Sequence, residues 1–191
     1  MTPGTLRNVV NLVLFQIGWF ACVLSAASGS AWLGILTVVA IVVWHLRIAR
    51  RLSQELALLS MVGVIGFMFE SLQRYYDILV YAPRDAATAL APLWMAALWI
   101  NFATTLNLSL RWFKQRKLLA VAAGAVAGPI AYYGGMNLGA LTMPQATVAL
   151  SSLAIGWGLI FPLCLWLADR FDGFGDTRDR SYFPVQETPR V

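Results

Sequence analysis

Six apolar runs recur along this chain, each separated from the next by a short polar or turn-forming stretch. They lie at about 8–27, 31–47, 55–73, 91–110, 117–136 and 147–168, with helix three extending to about 80. Roughly 20 helical residues, rising ~1.5 Å each, cross a hydrocarbon core of ~30 Å. The breaks "SAASGS", "WHLRIARR", "YAPRD" and "NLGALTMPQAT" carry the Gly, Pro, Asn, Ser and basic residues that end such helices. The pattern predicts an all-α polytopic membrane protein, a bundle of six transmembrane helices forming one domain over 1–170. Residues 171–191 mix Asp, Arg, Gly and Pro and are expected to form a flexible polar cytoplasmic tail.

Composition strengthens this reading. Of 191 residues, 59% are hydrophobic and only 12% charged, about half the charged share of a soluble domain. The net charge of +5 raises the question of nucleic acid, but its distribution answers otherwise. Arg7, the 47–51 and 111–117 connections, Arg170 and the tail together hold twelve of the fourteen basic residues; Arg74 and Arg84 are the other two. Such a bias places both termini in the cytoplasm and excludes nucleic acid as the explanation. The first apolar run is too long for a signal segment and is read as an uncleaved helix. Cys22 and Cys164 lie inside apolar runs with no metal-ligand spacing, and His45 is the sole histidine. No metal and no cofactor is expected, and His45 reads as a side chain snorkelling at the membrane interface.

Polar groups inside the spans are the candidate chemistry. Glu70 is the one acid well within an apolar run, with Arg74 at i+4 and Asp77 at i+7. Ionisable residues within spans mark function by default, so Glu70 and Arg74 are candidates for catalysis. The competing reading is an interfacial ion pair set in a belt of Tyr75, Tyr76 and Tyr81. In the first span Asn8, Asn11, Phe15, Gly18, Cys22 and Ser25 share a narrow packing face, with Gln16 off it. In the fourth, Trp94, Asn101, Thr105, Leu108 and Trp112 are expected on one face and Asn107 away from it. Gly124 and Gly128 form GxxxG, repeated by Gly135 and Gly139; Pro129 kinks the fifth span, and Gly134 with Gly135 is expected to unwind its end. Ser152 and Gly156 offer a further small-residue face. There is no HExxH, GxSxG or P-loop.

Three stretches together, "NVVNLVLFQIGWFACVL", "PLWMAALWINFATTLNLSLRWF" and "GAVAGPIAYYGGMNLGA", resemble the bacterial inner-membrane family known as domain of unknown function 2878. The resemblance covers roughly the first 170 residues. It implies a six-helix inner-membrane protein with no established catalytic motif. Its recognisable positions are Asn11, Gln16, Trp19, Thr105, Ser109, Trp112, Gly128, Pro129 and Tyr132, which mark a candidate binding region together with Asn101. It also implies a connection to lipid metabolism, through members encoded near fatty-acid-modifying enzymes of the cyclopropane-synthase type.

Three functions stay open on these residues. The leading one is a non-catalytic accessory or partner protein in envelope lipid handling, in contact with membrane lipids. Its small-residue faces would receive another membrane protein or a second copy. The second is a lipid-acting membrane enzyme using Glu70 or the Asn101/Thr105 cluster. The third is a small transporter of two three-helix halves with a midplane cavity beside Pro129.

Overall fold

The computed structural model describes residues 3–82 and 90–175, which form an all-α bundle of six helices. These are α1 (Pro3–Ala27), α2 (Trp32–Ile48), α3 (Leu52–Tyr75), α4 (Leu93–Leu106), α5 (Lys117–Asn137) and α6 (Ala146–Arg170). α1, α3, α5 and α6 are each long and apolar enough to cross a membrane, whereas α2 and α4 are shorter apolar helices. The chain is therefore a multi-pass membrane protein. Leu12, Leu36, Val64, Met68, Ile130 and Leu159 are exposed on the outside of the bundle, as hydrocarbon solvent permits.

Glycines set the helix pairs. A Cβ on Gly34 would overlap the backbone of Cys22 on α1; one on Gly66 would overlap the Trp99 ring on α4. On α5, a Cβ at Gly124 or Gly128 would run into Trp157 of α6. Close backbone approach gives the van der Waals contact that holds membrane helices together. Pro129 is accommodated within α5, which continues through Gly134 and Gly135 to Asn137 without the expected unwinding. Gly139 lies beyond the helix, in a turn at φ +86°, so it ends α5 instead of extending its packing face. Gly156 faces the Phe69 ring, and the Ser152 hydroxyl donates to Gln73 Oε1 at 2.9 Å, so that face of α6 closes on α3.

α4 is the centre of the bundle and contacts α1, α2, α3 and α6. It stops at Leu106, short of the expected 110. Its 14 residues reach only ~21 Å, and turns at 107–110 and a short 3-10 helix (Arg111–Phe113) follow it. Irregular backbone is tolerated at depth when protein surrounds it, and Leu108 and Leu110 N–H both donate to Thr105 C=O. Trp112 thus leaves the Asn101 face and lies half-exposed under the Arg116 guanidinium. α3 likewise ends at Tyr75, with Asp77 at φ 50° turning the chain, and does not continue to 80.

The two ends of the bundle differ. At one end, two-residue strands β1 (Val80–Tyr81) and β2 (Leu141–Thr142) pair antiparallel and join the α3–α4 and α5–α6 connections. At the other, basic end, Arg50 and Arg51 N–H both donate to Gly173 C=O, so the residues after α6 fold back onto the α2–α3 turn. Of the tail expected to be flexible, 171–175 is thus held in place; 176–191 and Arg84 lie outside the described residues.

Candidate functional site

Glu70 is fully buried, not an interfacial anchor. Val62, Gly63, Gly66, Glu70 and Gln73 form the inward stripe of α3 at helical steps, and the missing side chain at Gly66 lets Trp99 lie across the helix. Trp99 Nε1–H donates to Glu70 Oε1 at 2.9 Å. The Tyr132 hydroxyl from α5 also donates to Oε1, and the Tyr81 hydroxyl from β1 donates to Oε2. A carboxylate only accepts, and three donors from three elements converge on this one. Burial first, and then the Glu70 charge, hold the Tyr81 phenol well above its usual value of 10. Tyr81 therefore stays protonated and donates. Arg74 acts on Tyr81 in the opposite direction.

Beside this cluster lies an apolar cavity of about 90 Å³. α4 forms its floor with Trp94, Met95, Leu98, Trp99 and Phe102, while α1 contributes Phe15, Trp19 and Val23 and α5 contributes Ala131, Tyr132 and Gly135. Ala140, Leu141 and Trp157 complete it. Trp157 stacks on Trp99 with centroids 4.5 Å apart. Phe15, Trp19 and Ala131 are only half-buried, so the cavity is a lateral groove between α1 and α5. Tyr132 joins the two features: its side chain lines the groove and its hydroxyl holds Glu70.

The remaining candidates go elsewhere. Asn101 Nδ2–H donates to Phe15 C=O at 2.9 Å, in space that Gly18 leaves open on α1. Thr105 donates to Phe102 C=O of its own helix at 2.6 Å. Asn11 donates to Thr104 C=O at 3.1 Å and accepts from the Ser109 hydroxyl at 2.7 Å. Asn11 and Asn101 thus fasten α1 to α4 and the turn after it, whereas Thr105 is satisfied within α4. None of Asn11, Asn101, Thr105 and Glu70 lines the groove, whereas Trp19 and Tyr132 do. Asn8 and Gln16 are exposed, outside the buried Asn11–Gly18–Cys22–Ser25 face.

A family model described as "Protein of unknown function (DUF2878)" matches residues 8–163, which includes every helix that builds the groove. The chain belongs to this family. No curated protein and no solved structure matches it. The family region thus contains Glu70, its three donors and all the groove-lining residues.

A second, largely buried polar cluster escaped the sequence pattern; it joins residues of the family region to Asp172 and Gly173 beyond it. His45 does not snorkel: it is fully buried, with Nε2 2.8 Å from Glu55 Oε2. Glu55 Oε1 accepts from Asn107 at 2.6 Å and from Gly173 N–H at 2.9 Å. Lys114 donates to Asn107 Oδ1 at 2.7 Å and to Asp172 at 3.3 Å, and Arg111 pairs with Asp172 at 2.6 Å. Glu55 sits in the first turn of α3 and looks like a helix-start acid. Its signal was the nearby His45, ten residues back across a tight turn. This network seats the residues after α6; among the described residues no group of three or more His, Cys, Asp or Glu is placed to hold a metal.

Proposed function

We propose that this chain is a non-catalytic inner-membrane protein of envelope lipid handling that holds the end of a lipid chain in the groove between α1 and α5. On this reading all six helices cross the membrane and the basic end, with both termini, faces the cytoplasm. The observation that carries it is the aromatic-lined groove of about 90 Å³ with half-buried residues at its mouth. An apolar cavity of ~150 Å³ takes up benzene. A smaller one accepts the end of a single hydrocarbon chain and excludes a headgroup. The lining carries no charged side chain, which gives a polar solute no path and weighs against a transporter.

The enzyme reading keeps one observation in its favour, since Tyr132 connects the groove to a buried carboxylate. Against it, Glu70 has both oxygens engaged by three donors and does not line the groove. A general base needs reach to its substrate proton.

Lipid extracted from the purified protein tests the proposal. Wild type should carry bound phospholipid, and Ala131→Phe, which fills the mouth, should carry markedly less at equal yield of folded protein. Equal lipid in both variants refutes the groove as the binding place. In a deletion strain, Glu70→Gln should restore the wild-type lipid profile. Failure to restore it, with the protein folded and lipid-loaded, favours the enzyme.

A further inference from the structure

Gln16 has no reason to face lipid. It lies near the middle of the 25-residue helix α1, exposed and turned away from the packed Asn11–Gly18–Cys22–Ser25 face. Its side chain makes no hydrogen bond within the described residues. Exposed Thr37 satisfies itself by donating to Leu33 C=O of its own helix; a glutamine amide is too long and too polar at both ends for that solution. About 17–20 Å of helix separates it from the two ends of α1, beyond the reach of its side chain to the headgroups. Hydrocarbon offers no partner, so an amide at this depth calls for one from another protein surface.

Its surroundings specify which surface. Leu6, Val9, Val13, Gln16 and Phe20 follow one another at steps of three and four and are all exposed. That is an apolar heptad seam with a single polar position, the pattern that fixes register between paired helices. The amide carries a partially positive N–H and a partially negative C=O, so it complements itself. A two-fold axis along the membrane normal places the same amide of a second copy at the same depth, each donating to the other. The small-residue faces are already used inside the bundle: Gly124 and Gly128 against Trp157, Gly156 against Phe69.

We propose that the α1 face centred on Gln16 is a homodimer interface, in which two copies of this chain pair their Gln16 amides across a two-fold axis. The test uses the full-length protein in native membranes. Val13→Cys and Phe20→Cys lie on the seam, and Met68→Cys lies on exposed α3 as a control; Cys22 and Cys164 are buried. Oxidation should cross-link the seam variants to dimers and leave the control monomeric. Adding Gln16→Leu, an apolar change on an exposed face, should weaken dimerisation about tenfold, the scale of one interhelical amide pair in model helices. Gln16→Asn should recover part of it. The proposal is overturned if the seam cross-links no better than Met68→Cys, if it captures only a different polypeptide or lipid, or if Gln16→Leu leaves dimerisation unchanged.

Discussion

Replacing Glu70 by leucine separates a structural carboxylate from a dispensable one. The leucine removes the acceptor of three donors at once: the Tyr81 and Tyr132 hydroxyls and Trp99 Nε1–H. Tyr81, Trp99 and Tyr132 are all buried, so water cannot replace the lost acceptor. Each orphaned buried donor costs about 1–3 kcal/mol, which sums to about 3–9 kcal/mol. Removing the carboxylate also removes its own desolvation cost, so the lower half of that range is expected. Glu70→Gln keeps an acceptor oxygen for Tyr132 and Trp99, and its amide can donate to a reversed Tyr81 hydroxyl. Its loss should be about 1–3 kcal/mol, the difference between charge-assisted and neutral bonds. Reversible unfolding in mixed micelles, followed by tryptophan fluorescence, measures both. Leucine and glutamine of equal stability, or a leucine variant within 1 kcal/mol of wild type, would show that the carboxylate does not hold these elements together.

Other consequences concern packing and the basic end. Gly128→Val should destabilise the α5–α6 pair by at least ~1–3 kcal/mol through overpacking against Trp157, read in the same unfolding assay; no change would remove Gly128 from that contact. Asn11→Leu should cost about 1–3 kcal/mol, because the Thr104 carbonyl and the Ser109 hydroxyl lose their partner; the double variant with Ser109→Ala should cost less than the two changes added. Asp172 is pushed upward by partial burial, but the charges of Lys114 and Arg111 outweigh this and hold its carboxyl below the ordinary 3.8. A lowered folded value means its contribution is complete above 3.8 and lost as pH falls through the folded value. Hydrogen exchange at the Phe174 amide, which donates to Asp172 at 3.0 Å, should therefore accelerate below pH 3.8, and Asp172→Asn should abolish that dependence.

Much of the fold was legible because bilayer thickness and hydropathy constrain it simply. Six apolar runs gave six helices, and the spacing of Asn11, Gly18, Cys22 and Ser25 marked the inward face of α1. Where α4 ends was not legible, since residues 107–110 hold no Gly or Pro to end a helix, and the tertiary hydrogen bonds of Asn107 and Ser109 accompany its end. The small-residue signals at Gly124, Gly128 and Gly156 were visible, but not that Trp157 and Phe69 of the same chain would fill them. Glu70 stood out as an acid in an apolar run, yet Arg74 at i+4 and the neighbouring tyrosines left an interfacial ion pair as a competing reading. Its partners come from α4, α5 and β1, at sequence separations that no helical period encodes. His45 and Glu55 escaped for a related reason: each lies at a helix end, where a charged or polar residue is ordinary, and only the fold-back after α6 encloses them.

The groove is tested most directly by a phospholipid carrying a diazirine at the end of one acyl chain, activated in membranes containing the full-length protein. Mapping the adducts should find them on Phe15, Trp19, Leu98 and Ala131, with Ala131→Phe suppressing those sites and sparing exposed Leu36 and Leu159. Adducts confined to the outer faces, or unaffected by Ala131→Phe, would contradict the account.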